Sequence, residues 1–153
     1  MSILGIVHIL KVVIELITRS ELRKKIMTIL YQIELYDKNK IEYDLETVIK
    51  QNTVIDSEFV KDIVFGVVTY KSEIDSLANK HLSNWSIDRL GNTDIAILRM
   101  GIYELIYTST PPVVAINEAV ELAKEYSDEK VCKMINACLD KIYKEEEKWK
   151  ISI

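Results

Sequence analysis

Arg19, Arg23, Lys24 and Lys25, with Lys11 upstream, make the densest run of positive charge in the chain. The chemistry open to such a group is the holding of phosphates. On a helix, Arg19 and Arg23 stand four apart and share a face, from which they could reach successive phosphates or stack and fork onto exposed bases of single-stranded RNA. The competing reading is an ordinary solvated helix start, because positive charge near a helix N-terminus opposes the dipole only mildly. The formal net charge of −4 excludes a protein that coats nucleic acid through bulk positive charge, so any RNA contact must be local.

Other groups offer less. Glu118 and Glu121 could be posed as an acid/base pair, yet three-residue spacing on a surface helix is ordinarily solvated charge. A Gly-rich phosphate loop, a GxSxG elbow and an HExxH pair are all missing from the sequence. No catalytic residue, cofactor or turnover is expected. Cys132 and Cys138, six apart on one helix, diverge too far for a disulfide, and His8 and His81 are remote in sequence, so no metal-ligand set is expected either. Asn117 and Asn136 sit among apolar residues at helical spacing and read as core amides that cross-link helices.

The elements that must position these groups read as helices. The chain has 153 residues, 48% hydrophobic and 29% charged, with four Gly and two Pro, a poor supply of turn residues. No segment sustains apolar/polar alternation between turn signals, so strands have little claim. Thr18 followed by Glu21 suggests a capping box, behind which Leu22, Ile26, Ile29, Leu30 and Ile33 give an amphipathic helix ending near 37–40. A short helix is expected around Tyr43, Leu45, Val48 and Ile49. Asp56 and Ser57 are caps for one helix whose apolar face runs from Phe59 to Leu77. A loop with a helical turn follows near 87–90. Helices over 94–107 and 113–126 are separated by Pro111 and Pro112, and the last runs from Asp128 to about Trp149.

Residues 1–17 are an apolar extension. Ile3 to Ile17 is interrupted by His8, Lys11 and Glu15, falls short of the roughly 20 apolar residues a span needs, and lacks the charge and cleavage pattern of a secretory signal. No membrane association is expected, and a cytoplasmic setting is. With no Pro and only Gly5 in it, the extension could also run into the following helix without a break.

The run IAILRMGIYEL at 95–105, the run VAINEAVELAK at 114–124 after the proline pair, and MINACLD at 134–140 together resemble the signature of the NusB transcription antitermination family. Thr18-Arg19, Arg23 and Leu30-Tyr31-Gln32 resemble that family's first helix with its basic segment. The resemblance covers roughly 18–143. It implies an all-α fold of two small helical bundles packed together, about 18–82 and 83–150 within a domain of 18–153. It also implies a bacterial protein that binds boxA-type single-stranded RNA of ribosomal leaders, together with the ribosomal protein NusE, within an RNA polymerase antitermination complex. Arg19, Arg23, Lys24 and Lys25 fall on the family's RNA-binding segment, and Tyr31 and Asp94 on its NusE-facing surface. Met134 stands where the family carries an aromatic and Ala137 where it carries Gly, which removes a stacking ring from the last helix. A protein-interaction scaffold of the same fold without RNA binding is the alternative. The resemblance implies either a monomer or a homodimer.

Overall fold

The computed structural model describes residues 1–54 and 56–146, without the side chains of 13–18. Among these residues seven α-helices follow one another: α1 (Ile3–Lys38), α2 (Leu45–Asn52), α3 (Glu58–Thr69), α4 (Lys71–His81), α5 (Asn92–Tyr107), α6 (Pro112–Tyr126) and α7 (Glu129–Glu145), with a 3-10 turn at Ile87–Arg89 before α5. Among the described residues there is no strand.

Short polar residues set most of the starts. Ser2, Asp44, Ser57 and Asp128 each accept a hydrogen bond from a backbone N–H three residues on, at 3.1, 3.0, 3.3 and 2.8 Å, satisfying donors that a helix leaves orphaned. Pro112 occupies the first position of α6, where a missing N–H costs nothing. α1 ends at Asn39, after which Lys40 takes a positive φ of 55°.

Of the two readings of the first helix, a start at Thr18 or a continuous run from the extension, the second holds: the backbone is helical without interruption from Ile3, so the extension and the domain share one 36-residue helix. One expectation needs correction: the apolar face from Phe59 to Leu77 is carried by two helices, not one. They meet at Tyr70, which closes α3 through its N–H to Gly66 and opens α4 by accepting from Ile74. No Gly or Pro marks that break. Tertiary contact sets it: the Tyr70 ring stacks on Tyr107 at 4.7 Å, and the two apolar faces have different targets, α3 packing on α1 and α5 while α4 packs on α5 and α7. α7, expected to run to about Trp149, stops at Glu145 with Glu146 as its cap; residues 147–149 lie outside the described ones.

α5 is the hub. All twelve residues from Ile95 to Ile106 are buried, and α1, α3, α4, α6 and α7 pack around it. Close approach depends on glycine at two places. A Cβ on Gly66 would lie 2.0 Å from the Tyr103 ring, and one on Gly101 would press Ala119 and Leu139 at 3.1 and 3.2 Å. The buried side chains form one continuous cluster reaching from Leu22 to Ile142.

A fully buried charged residue must be paired, because stripping water from it costs several kcal/mol. α1 and α5 meet that need reciprocally. Arg23 of α1 binds Glu104 of α5, and Arg99 of α5 binds Glu34 of α1 at 2.6 Å, with Asp75 of α4 completing the fork at 2.9 and 3.0 Å. Burial alone would raise the Glu34 carboxyl, but the hydrogen bond and charge of Arg99 more than offset it and hold the group below its usual range. Asn117 and Asn136, expected in the core, are exposed instead, so neither amide cross-links helices.

Candidate functional site

The basic segment lies on α1 between the extension and the buried part of the helix, where α3 and α6 flank it. Its four residues do not act as one set. Arg19 is exposed, and its guanidinium lies 5.0 Å from the centre of the Phe59 ring at the start of α3. That geometry orients a planar cation without neutralising it. Lys25 is exposed and makes no ion pair among the described residues.

Arg23 requires a correction. Read from spacing, it shares a solvated face with Arg19; in the fold it is 3% exposed. Its Nε and Nη2 donate to the Glu104 carboxylate at distances down to 2.5 Å, its Nη1 stands 3.7 Å from Glu118, and its guanidinium lies 5.1 Å from the Phe59 ring centre. The side chain is committed to the α1/α5 contact and is not free to reach a phosphate. Glu118, read as solvated charge, is half-buried and accepts from Ser20 at 3.2 Å. Lys24 is half-exposed between Glu125 and Glu21, each at 3.7 Å, and these carboxylates raise its pKa, Glu125 most. Its charge is thus partly matched already.

Farther along α1, Tyr31 lines a shallow depression with Met27, Thr28, Thr93 and Tyr126. Tyr31 and Tyr126 are both exposed rings, which supply large contact area at small entropic cost. Asp94, one residue beyond Thr93, accepts a hydrogen bond from the Ser127 hydroxyl, tying the start of α5 to the end of α6. The fold sets Tyr31 in one depression with Thr93, the residue before Asp94, although Tyr31 and Thr93 are 62 residues apart in sequence.

Sequence reasoning missed Phe59, Glu104 and Trp85. Glu104 carried a signal: a carboxylate embedded in an otherwise apolar helical run implies a buried partner. Phe59 carried none, since its contact with Arg19 spans forty residues of chain. Trp85 is half-buried, with the Arg89 guanidinium 5.3 Å and the Lys130 ammonium 5.6 Å from its ring. Arg89, four residues on, was a legible neighbour, whereas Lys130 was not.

Among the described residues no group of three or more His, Cys, Asp or Glu could hold a metal ion, and no helix is long and apolar enough to cross a membrane. Burial pushes the Cys138 thiol up to about 12, so it is a protonated core group and not a nucleophile.

The family model described as NusB family matches residues 20–144. A relative from Exiguobacterium sp., named transcription antitermination protein NusB, is 40% identical over 129 residues, which cover 84% of this chain and 98% of the relative. The solved structure of T. maritima NusB superposes with a TM-score of 0.73 at 32% identity, covering 88% of this chain and 97% of that one. A crystal structure of the antitermination factors NusB and NusE in complex with double-stranded RNA matches with a TM-score of 0.71 at 33% identity, covering 82% and 96%.

Proposed function

Since the chain belongs to the NusB family, we propose that it is an RNA-binding transcription antitermination factor that binds boxA-type RNA together with NusE. We propose a binding role without turnover, exercised in the cytoplasm as part of an RNA polymerase antitermination complex. The observation that carries the reading is the exposed Arg19, braced over Phe59, six residues along the same helix from the exposed Lys25, which pairs with no carboxylate among the described residues. The relative solved with NusE and RNA supports the choice of partners.

In this reading Arg19 and Lys25 supply the electrostatic hold, and Lys24 contributes weakly because Glu125 and Glu21 already face it. Arg23 acts indirectly, by fixing α1 on α5 and sharing the Phe59 ring with Arg19. Tyr31 and Asp94, with Thr93 and Tyr126 beside them, form the surface on which NusE docks. The two bundles, about 18–82 and 83–150, are taken to pack together, with 1–17 as an extension of the first.

The test is the salt dependence of boxA-like RNA binding by the wild type and by Arg19→Ala/Lys25→Ala. Neutralising phosphates of a single strand releases counterions with a slope of about −0.7 per contact. The double variant is expected to lose about 1.4 units of slope on that basis and to keep its helical content. An unchanged slope removes this segment from the RNA site. Absence of any RNA binding by the wild type, with NusE still bound, favours a protein-interaction scaffold.

A further inference from the structure

The first turns of α1 carry an exposed apolar surface that the RNA reading does not use. The family match begins at residue 20. Ahead of it Ile3, Leu4, Ile6, Val7, Ile9, Leu10 and Val12 are all solvent-exposed, Leu4 by 82% and Leu10 by 53%. These residues belong to the same unbroken helix whose later turns are anchored in the core by Ile26, Ile29 and Ile33. The apolar segment is therefore held out as a formed helix, and the ordering entropy that a binding peptide normally loses is already spent.

We infer that this segment is a self-association surface whose occupant is the same segment of a second copy, paired antiparallel about a two-fold axis. Three observations favour that occupant. First, Ile3, Ile6 and Leu10 recur at spacings of three and four, the seam of a helix pair, with Val7 and Ile9 flanking it, Lys11 beside Val7, and His8 opposite the seam between Leu4 and Val12. Second, those five side chains expose roughly 500 Å² per chain, so mutual burial removes about 1,000 Å² in total, the lower end of what a specific dimer needs. Third, the charge is wrong for the other common use of such a helix. A helix lying on a membrane surface carries a polar face rich in Lys and Arg, whereas residues 1–12 contain Lys11 alone and the whole chain is net negative by four. Antiparallel pairing follows from bulk: helix axes in contact stand 8–10 Å apart, too close for two domains attached at the same end. At opposite ends they clear one another, and Ile6 of one copy faces Leu10 of the other. Two basic segments are then carried by one assembly.

Sedimentation velocity of the full chain from about 1 to about 100 µM tests this directly. The expected result is a shift from monomer to dimer within that range. Two variants at the exposed seam, Ile6→Glu/Leu10→Glu and Ile6→Lys/Leu10→Lys, are each expected to stay monomeric with unchanged helical signal, and their equimolar mixture to recover the dimer. A wild type that remains monomeric at the highest concentration overturns the proposal, as does a dimer that survives both variants or a mixture that fails to re-form it. A monomeric wild type that co-sediments with phosphatidylglycerol vesicles would mean that lipid, and not a second copy, covers the helix. RNA affinity is not part of this readout, so its failure leaves the RNA reading standing.

Discussion

Removing the carboxylate of Glu104 should strongly destabilise the packing that the central helix organises. Glu104 is 1% exposed and Arg23 3%. The carboxylate accepts from Arg23 Nε at 3.0 Å and Nη2 at 2.5 Å, and from the Thr110 hydroxyl at 3.1 Å. In Glu104→Ala the guanidinium keeps one carboxylate among the described residues, Glu118 at 3.7 Å with 30% of its side chain exposed, beside the Phe59 ring. Breaking a buried pair from one side leaves an uncompensated charge and costs about 3–5 kcal/mol, against a total stability of about 5–15 kcal/mol for a domain of this kind. A melting temperature lower by about 10 °C is expected, read by circular dichroism at 222 nm with urea titration as the second measure. Replacing both partners, Arg23→Met/Glu104→Met, is expected to recover all but about 1 kcal/mol, since the apolar pair leaves no stranded charge. A loss below about 1 kcal/mol in Glu104→Ala, or a double variant as unstable as the single one, would refute the claim that Arg23 is structurally committed.

Gly66→Ala should be severely destabilising, by about 3 kcal/mol or more, because its Cβ would sit 2.0 Å from the Tyr103 ring; thermal melts check it, and Tyr103→Leu in the same background should restore part of the loss. Thiol labelling at pH 8 should modify only Cys132 in the folded chain and Cys138 only after denaturant is added, since Cys132 is half-exposed and Cys138 is buried. Stability should decline at high pH. Burial pushes both Cys138 and Tyr103 up to about 12, Tyr103 with help from its hydrogen bond to Asp62. Raised acids favour the neutral folded form, so their contribution is intact below about pH 9 and is lost as pH climbs toward 12. Urea midpoints at pH 7 and 11 measure it. At the acid end, Glu34 is held below its ordinary value, and the stability it contributes should disappear as pH falls below the unfolded carboxylate range.

Periodicity was enough to find the helices because burial here follows simple faces. Val48 and Ile49 marked α2, Ser57 marked the start of α3, and Pro112 the start of α6. It failed at Tyr70, where an aromatic stack and two differently directed apolar faces break the helix without a breaker residue. At Thr18 it left two readings open, and the chain takes the continuous one: the capping pattern goes unused inside a helix that already runs from Ile3.

The basic segment shows the same limit from the other side. Spacing places Arg19 and Arg23 on a common side of α1, and both do approach Phe59. Whether a guanidinium faces water or a carboxylate depends on what α5 and α6 bring to it, and Glu104 and Glu118 lie 81 and 95 residues away from Arg23. Charge density in the sequence therefore overstated the free positive surface. Of four basic residues, one is buried in an ion pair, one is flanked by two carboxylates, and Arg19 and Lys25 remain for an anionic partner.

The most direct trial of the account is a titration of fluorescent boxA-like RNA with the protein, alone and with NusE present, at low and at physiological salt. Tighter binding with NusE, weakened by salt and impaired in Arg19→Ala/Lys25→Ala, is the expected result. RNA affinity that ignores NusE, or that the double variant retains in full, would contradict it.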